Sequence, residues 1–179
     1  AAEWSIGFWG PEFLTAALGF SPSAAATSMG LFFGAMLTGR VLASRLARRV
    51  DDRTLLVATL CLASLGFLLL WLSGAPVPGL AGLLLTGLGL AGVYPVGLSV
   101  GVGTVPLATD TAAARLGIAA ATAIFVLPLI VGRLADAIGI IDAFGLVAPL
   151  LVAAVVLTAL DRRSFRRTGG HRPASEGAG

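Results

Sequence analysis

The sequence predicts an all-α membrane protein in which six helices cross the bilayer. Hydrophobic residues make up 57% of the 179 residues and charged residues 12%, whereas soluble domains average roughly 25% charged residues. A bilayer core about 30 Å thick requires about 20 apolar residues per helix. Apolar stretches of this kind recur along the chain at residues 1–18, 22–43, 54–73, 77–105, 111–131 and 141–160.

The basic residues give these helices an orientation. All twelve are arginines, and when the connections are assigned alternately to two sides, every arginine except Arg133 falls on the same side. Membrane helices keep Lys and Arg on the cytoplasmic face. The sequence therefore predicts a multi-pass protein of the plasma (inner) cell membrane, with Ala1 near the cytoplasm and a cytoplasmic C-terminus. Residues 1–160 form the predicted six-helix bundle, and the basic, glycine-rich residues 161–179 are predicted to be a disordered tail.

The first apolar stretch begins abruptly. Glu3 lies almost at its first residue, although a span of about 20 residues that ends near Leu18 should begin at or before Ala1. The first helix is therefore expected to be truncated, as if the chain opened inside a larger protein. Just beyond this stretch, Ser21 followed by Pro22 predicts a capped start for the second helix.

The fourth stretch is unusually rich in glycine and contains Tyr94-Pro95. Small residues allow neighbouring membrane helices to approach closely, so these glycines predict crowded helix contacts. Pro95 removes one backbone hydrogen bond and predicts a kink near Gly92. A bundle that rocks would use such a helix, and so would a bundle that is only tightly packed. The sequence leaves both interpretations open.

No enzyme, metal site, cofactor or nucleic-acid interface is predicted. Residues 87–92 match GxGxxG and residues 97–101 match GxSxG, but the first follows no strand and the second has no base nearby. The single histidine, His171, lies in the polar tail. The net charge of +3 comes from arginines that set orientation, with no aromatic platform between them.

Two segments of the chain are similar to each other. Residues 40–49 end the second helix and residues 132–139 end the fifth, and they align on Leu42-Ala43 and Leu134-Ala135. Both are degraded copies of G-x-L-A-D-R-x-G-R-R. By the arginine count they lie on opposite sides of the membrane, after equivalent helices of two three-helix units. This arrangement predicts an inverted 3+3 repeat, which is a transporter architecture.

At these residues the chain resembles the C-terminal six-helix half of a major facilitator superfamily transporter, over residues 1–167. The G-x-L-A-D-R-x-G-R-R loop is the best-known motif of that superfamily, although Arg40, Ser44 and Ala47 replace its Gly, Asp and second Gly. Residues 3–14 and 92–95 further resemble its fucose-permease-like, sugar-transporting branch.

The resemblance implies transport of a small solute by alternating access, in which two six-helix halves rock about a central cavity. The implied carrier is a facilitator or an ion-coupled secondary transporter, with the proton as one coupling ion. Its implied partners are the lipid bilayer and either the missing N-terminal half of the same polypeptide or a second copy. The implied cytoplasmic motif loop makes state-dependent contacts through Arg45, Arg48, Arg49, Asp51, Asp52 and Arg53. The simpler interpretation is that these arginines only fix orientation, while the carboxylates reduce their repulsion.

Several polar side chains at membrane depth are candidates for the substrate or ion pathway: Glu3, Trp9, Glu12, Tyr94 and Ser99. An intramembrane charge costs about 2.5–3.5 kcal/mol, so it usually faces a cavity or a partner. On a helix, Glu3 shares a face with Gly7 and Gly10, which leaves an open groove beside the carboxylate.

The second copy of the motif supplies candidates at the outer end of the fifth helix. They are Gly132, Arg133, Asp136 and Gly139. Arg133 and Asp136 have i, i+3 spacing, which predicts a local ion pair or a helix cap.

An alternative to the transporter half remains. A complete six-helix membrane protein that acts as a dimer, or as a structural or assembly subunit, has the same composition and hydropathy. The substrate, the direction of transport and the coupling ion are not encoded in a readable pattern. If the chain is half of a transporter, it is expected not to transport alone, because half of the cavity is absent.

Overall fold

A computed structural model of the protein describes residues 1–103 and 109–168. This part of the chain is helical throughout, apart from short turns. In order, the helices are α1 (Ala2–Leu18), α2 (Pro22–Leu46), α3 (Asp52–Leu72), α4 (Pro76–Gly103), α5 (Thr109–Ile138), α6 (Ile140–Phe144) and α7 (Val147–Thr168).

Within the described residues, five segments are long and apolar enough to cross a membrane. They are Pro22–Leu46, Asp52–Leu72, Pro76–Val100, Ala113–Ile138 and Ile140–Leu160. The protein is therefore an all-α, multi-pass membrane protein, as predicted. Helix α1 is not among the five, because its 17 residues extend only about 25 Å. A sixth span stays a prediction.

The ends of the first three helices follow local sequence signals. The Ser21 hydroxyl accepts a hydrogen bond from the backbone N–H of Ala24 at 3.3 Å, and Pro22 opens α2, which confirms the predicted cap. Helix α1 ends at Gly19, whose φ of +68° is the left-handed conformation that glycine adopts at helix C-termini. Asp51 caps α3 through the backbone N–H of Thr54 at 3.1 Å.

The last apolar stretch differs from its prediction at both ends. A turn at Gly145-Leu146 divides it into the short α6 and the long α7. Helix α7 then continues to Thr168, so residues 161–168 are helical where a disordered tail was predicted. Arginine is a good helix former, and positive charge is favourable at a helix C-terminus, so this basic segment can extend the helix. Residues 169–179, including His171, lie outside the described residues.

The centre of the bundle is the contact between α3 and α4, which is the most extensive in the described structure. A Cβ at Gly66 would lie 2.5 Å from the backbone nitrogen of Thr86, and Cβ atoms at Gly82 and Gly89 would collide with the backbone nitrogens of Leu70 and Ala63. The two backbones are therefore in direct contact. The glycines of α4 serve close helix packing, one of the two uses the sequence left open.

Helix α4 packs against α2 through a second set of small residues. A Cβ at Gly39 would lie 2.6 Å from the carbonyl oxygen of Leu88, and one at Gly87 would lie 2.8 Å from that of Phe32. The faces of α4 that contact α3 and α2 thus both lack bulky side chains. Helix α4 is held between these two neighbours, and this fixes the position of Tyr94 on its remaining side.

Three aromatic rings join α1, α3 and α6. Phe144 stacks on Phe13 with ring centroids 4.5 Å apart, and it contacts Phe67 at 5.3 Å. All three side chains are fully buried. Burial of rings of this size is a major contribution to packing energy, so the short α6 is firmly attached to the bundle.

Candidate functional site

A cavity of about 470 Å³ opens among α1, α4 and α5, with α3 and α7 behind it. Glu3 and Tyr94 supply the polar side chains of its lining. The other lining residues are Ala1, Ala2, Leu60, Leu90, Val93, Gly97, Leu98, Leu116, Ala120, Leu127, Leu150, Leu151 and Ala154. An apolar hollow with few polar groups is the usual form of a small-molecule site. The structure therefore brings two of the predicted pathway residues, Glu3 and Tyr94, together.

The Glu3 carboxylate forms an ion pair with Arg40 of α2. Its Oε1 atom lies 3.8 Å from Nη2 of Arg40, and the two side chains are 30% and 59% exposed. Arg40 lies about 9 Å along α2 from the end of that helix at Leu46. The arginine that replaces the first Gly of the motif is therefore the charge partner of Glu3. Pairing of this kind reduces the free-energy cost of a charge in an apolar environment.

Trp9, predicted for the pathway, instead connects α1 to α5. Its indole N–H donates a hydrogen bond to the carbonyl oxygen of Pro128 at 2.9 Å. The ring lies against Gly132, where a Cβ would be only 2.6 Å from the Cζ2 atom of Trp9. Gly132, predicted as part of the outer-end motif, thus provides the space that the Trp9 ring occupies.

Trp71 makes the same kind of contact between α3 and α6. Its indole N–H donates to the carbonyl oxygen of Ile141 at 2.9 Å, and a Cβ at Gly145 would lie 2.5 Å from the Trp71 ring. In both contacts the glycine follows the acceptor carbonyl by four residues, which is about one helical turn. Two tryptophans are therefore fixed by one local geometry, one between α1 and α5 and the other between α3 and α6.

Replacing Gly132 with alanine is expected to destabilise the protein, although alanine is the better helix former by about 1 kcal/mol. The added Cβ would overlap the Trp9 ring, and overpacking of this kind typically costs about 1–3 kcal/mol. Thermal unfolding of the purified protein in detergent measures the effect. Gly117→Ala on the same helix is the matched control, since nothing lies within 4 Å of its Cβ position. Equal melting temperatures for the two variants would contradict the prediction.

The remaining predicted pathway residues lie elsewhere. Glu12 is exposed on α1 and lines no part of the cavity. The Ser99 hydroxyl donates a hydrogen bond to the carboxylate of Asp52 at 2.5 Å. Ser99 therefore joins α4 to the motif loop and does not line the cavity.

The motif loop contains two kinds of charged residue. Its carboxylates are used within the protein, since Asp51 caps α3 and Asp52 accepts from Ser99. Its arginines at positions 45, 48 and 49 are exposed, and the structure gives them no ion pair with a described residue. Arg53 is half-buried. The guanidinium groups of Arg45, Arg48 and Arg49 are thus available to a partner surface at this end of the bundle.

The second motif copy is helical over most of its length. Helix α5 continues through Arg133 and Asp136 to Ile138, and Gly139 follows with a φ of +88°. Arg133 and Asp136 are both exposed, and the predicted ion pair between them is not formed in the described structure. Under the alignment of the two copies, Ile138 corresponds to Leu46, so α5 and α2 end at equivalent residues.

Two participants in the site were not predicted from the sequence. Arg40 was identified as a departure from the motif, but nothing in its local sequence indicates a contact with Glu3. Phe33 of α2 lies beside Gly7 of α1, where a Cβ would be 3.6 Å from the Phe33 ring. The signal that could have found it is Gly7 itself, because a glycine next to a carboxylate leaves room for a side chain from another helix.

The sequence matches the family model of the Major Facilitator Superfamily over residues 1–177. No curated protein and no solved structure matches the chain. The family match covers nearly the whole chain and agrees with its apolar, all-helical structure. The chain belongs to the Major Facilitator Superfamily, whose members are membrane transporters of small solutes and not enzymes.

Proposed function

We propose that this chain is the C-terminal six-helix half of a secondary transporter or facilitator that works by alternating access. The observation that carries the proposal is the cavity between α1, α4 and α5, which is open on one side of the bundle. An N-terminal half would close this side and supply the other wall of the solute pathway. The six spans would form an inverted 3+3 repeat in the plasma membrane, with a cytoplasmic C-terminus.

Exposed apolar faces on α2 and α5 are consistent with a binding surface for the proposed N-terminal half. On α2, Leu37 is 67% exposed, and on α5, Phe125 is 74% exposed. Helix α5 contacts α1, α4 and α6 along one side, and its other side carries a row of exposed apolar residues that includes Ile118 and Leu129. None of these residues lines the cavity, and a second half that docked on these faces would bury them.

The two motif copies support the inverted repeat. Helices α2 and α5 are the second and fifth apolar segments, and they end at residues that correspond under the sequence alignment. Three-helix units related in this way are typical of transporters that rock about a central site. The exposed arginines of the motif loop, at positions 45, 48 and 49, would make state-dependent contacts with the N-terminal half.

Glu3 is the proposed coupling residue. Its carboxylate borders the cavity and lies near one arginine, so protonation would change both the charge of the cavity and the contact with Arg40. Arg40 also joins α2 to α1, which would link the charge state to the position of the helices. The resemblance to the fucose-permease-like branch implies a sugar substrate. The side chains that line the cavity determine whether a sugar can bind there.

Two measurements test the proposal. Translation of the coding sequence upstream of Ala1 is expected to give six further apolar spans, with a fuller G-x-L-A-D-R-x-G-R-R loop after the second. Proteoliposomes that contain the 179-residue chain alone are expected to take up no solute, whereas those with both halves transport. Uptake by the monomeric chain would contradict the half-transporter, and a start codon near Ala1 would favour a six-helix protein that acts as a dimer.

The proposed orientation is tested by labelling single cysteines in a Cys61→Ala background. We expect a membrane-impermeant maleimide to label Gly74→Cys in intact cells, because Gly74 lies in the outer turn between α3 and α4. It should label Ala47→Cys in the motif loop only after the membrane is permeabilised. Labelling of Ala47→Cys in intact cells would reverse the proposed topology.

A further inference from the structure

We propose that the groove between α1 and α2 beside Glu3 is a subsite for an organic cation, such as an amine or a quaternary ammonium group. The proposal rests on the proposed function, because it requires this side of α1 and α2 to face the solute pathway. It names a substrate class that differs from the sugar implied by the resemblance.

The groove has a volume of about 240 Å³ and is lined by Glu3, Trp4, Gly7, Phe8 and Phe33. The residues of α1 repeat at four-residue intervals, so Glu3 and Gly7 lie on one row and Trp4 and Phe8 on the next. Gly7 leaves the floor of the groove open, and the Phe33 ring approaches it from α2. The groove therefore combines one carboxylate with three aromatic side chains, Trp4, Phe8 and Phe33, which are 48%, 67% and 51% exposed.

This combination of groups is suited to a cation. The face of an aromatic ring attracts a positive charge, and groups of aromatic residues bind quaternary ammonium ions in this way. The carboxylate supplies the opposite full charge. A sugar would require several hydrogen-bonding groups, but apart from the Glu3 carboxylate and the Trp4 indole N–H, the side chains that line the groove have no polar atoms.

One of the rings is held in place before any ligand arrives. Phe32 is fully buried, and its ring contacts that of Phe33 edge to face, with centroids 5.3 Å apart and an interplanar angle of 66°. The buried Phe32 ring therefore restricts one side of the Phe33 ring, which is itself 51% exposed. Binding then costs less side-chain ordering than it would at a flexible aromatic residue.

Arg40 acts as the counterion of Glu3 when the groove is empty. Its nitrogen lies 3.8 Å from the carboxylate oxygen, whereas charge-assisted hydrogen bonds are about 2.7–2.9 Å long. Arg40 lines neither the groove nor the larger cavity, but Glu3 lines both. A cationic ligand can therefore replace a loose contact, while its apolar substituents extend into the apolar cavity.

Isothermal titration of the 179-residue chain in lipid nanodiscs tests the subsite. The probe is choline, and its neutral isostere 3,3-dimethylbutan-1-ol has the same shape without the charge. Choline should bind saturably, and the isostere at least about ten-fold more weakly, since an interaction with a charged group contributes about 1.5–3 kcal/mol. Equal binding of the two compounds, or saturable binding of fucose without binding of choline, would overturn the proposal.

Two pairs of variants locate the binding. Glu3→Gln should weaken choline binding at least about ten-fold, and Phe33→Leu about five-fold, as expected for loss of one cation–π contact. Asp142→Asn on α6 is the matched control for Glu3→Gln, and Phe125→Leu on α5 is the matched control for Phe33→Leu. Both residues are exposed, and both control variants should bind choline as the unmodified chain does. Glu3→Asp keeps the charge and should retain most of the binding, which separates a lost site from a misfolded protein.

The outcome is distinct from that of the transport assay. If choline fails to bind while proteoliposomes with both halves still take up a solute, the cation subsite is wrong and the transporter half stands. If choline binds with the stated pattern of variants but the two halves transport nothing, the groove is an organic-cation site outside any transport pathway, and the proposed function fails.

Discussion

Replacing Gly89 with leucine is expected to prevent α3 and α4 from packing and to remove most of the folded protein. A side chain at this position would collide with the backbone of Ala63, which cannot move aside as a flexible side chain can. Overpacking against side chains costs about 1–3 kcal/mol, so a collision with backbone should cost about 3 kcal/mol or more. The protein is solubilised in detergent, heated to a series of temperatures and analysed by size-exclusion chromatography. The area of the monodisperse peak that remains measures the fraction of folded protein.

Gly34→Leu on α2 provides the control for Gly89→Leu. No atom lies within 4 Å of the Cβ position at Gly34, so the same substitution meets open space there. We expect this variant to elute and melt like the unmodified protein. A Gly89→Leu variant that behaves like Gly34→Leu would mean that α3 and α4 are not in backbone contact.

Replacing Glu3 with glutamine in the intact transporter should reduce the accumulation of solute driven by a proton gradient at least about ten-fold. Glutamine has nearly the shape of glutamate but no titratable charge, so the step in which a proton neutralises the carboxylate is lost. The contact with Arg40 also weakens, because one of its two charges disappears. Uptake into proteoliposomes with an imposed pH gradient measures the effect.

Asp142→Asn removes a carboxylate that is exposed on α6 and has no role in the cavity, so it serves as the control for Glu3→Gln. Its accumulation should equal that of the unmodified transporter. Full accumulation by the Glu3→Gln variant would exclude Glu3 from coupling. Loss of accumulation with normal exchange of solute across the membrane would assign Glu3 to coupling and not to the entry of the solute.

The helices were predictable because hydropathy and capping are local properties. The Ser21-Pro22 start of α2 and the apolar length of its span are encoded within a few residues, and both agree with the structure. The predicted positions of helix ends were less accurate where an apolar stretch is followed by polar residues that also favour the helical conformation. Helix α5 therefore extends to Ile138, beyond the end of its apolar stretch, and α7 extends to Thr168.

The candidate site was predictable only in part. A carboxylate within an apolar stretch is recognisable from the sequence, so Glu3 could be identified as a candidate. The contact of Trp9 with α5 could not be predicted, because its hydrogen-bond acceptor, Pro128, is 119 residues away in the chain. Ser99 was likewise placed in the pathway by its depth in α4, whereas its partner Asp52 belongs to another helix.

By itself, the sequence determined that this protein is embedded in a membrane, that it is built of helices and that α2 begins at Ser21-Pro22, because these properties depend on neighbours within one or two turns. The tertiary structure alone decided which glycines touch a backbone, which arginine pairs with Glu3 and which ring of α2 lines the groove beside it. These contacts join helices that lie far apart in sequence. Small residues in a lipid environment allow several neighbours, and only the packing of the whole bundle selects among them.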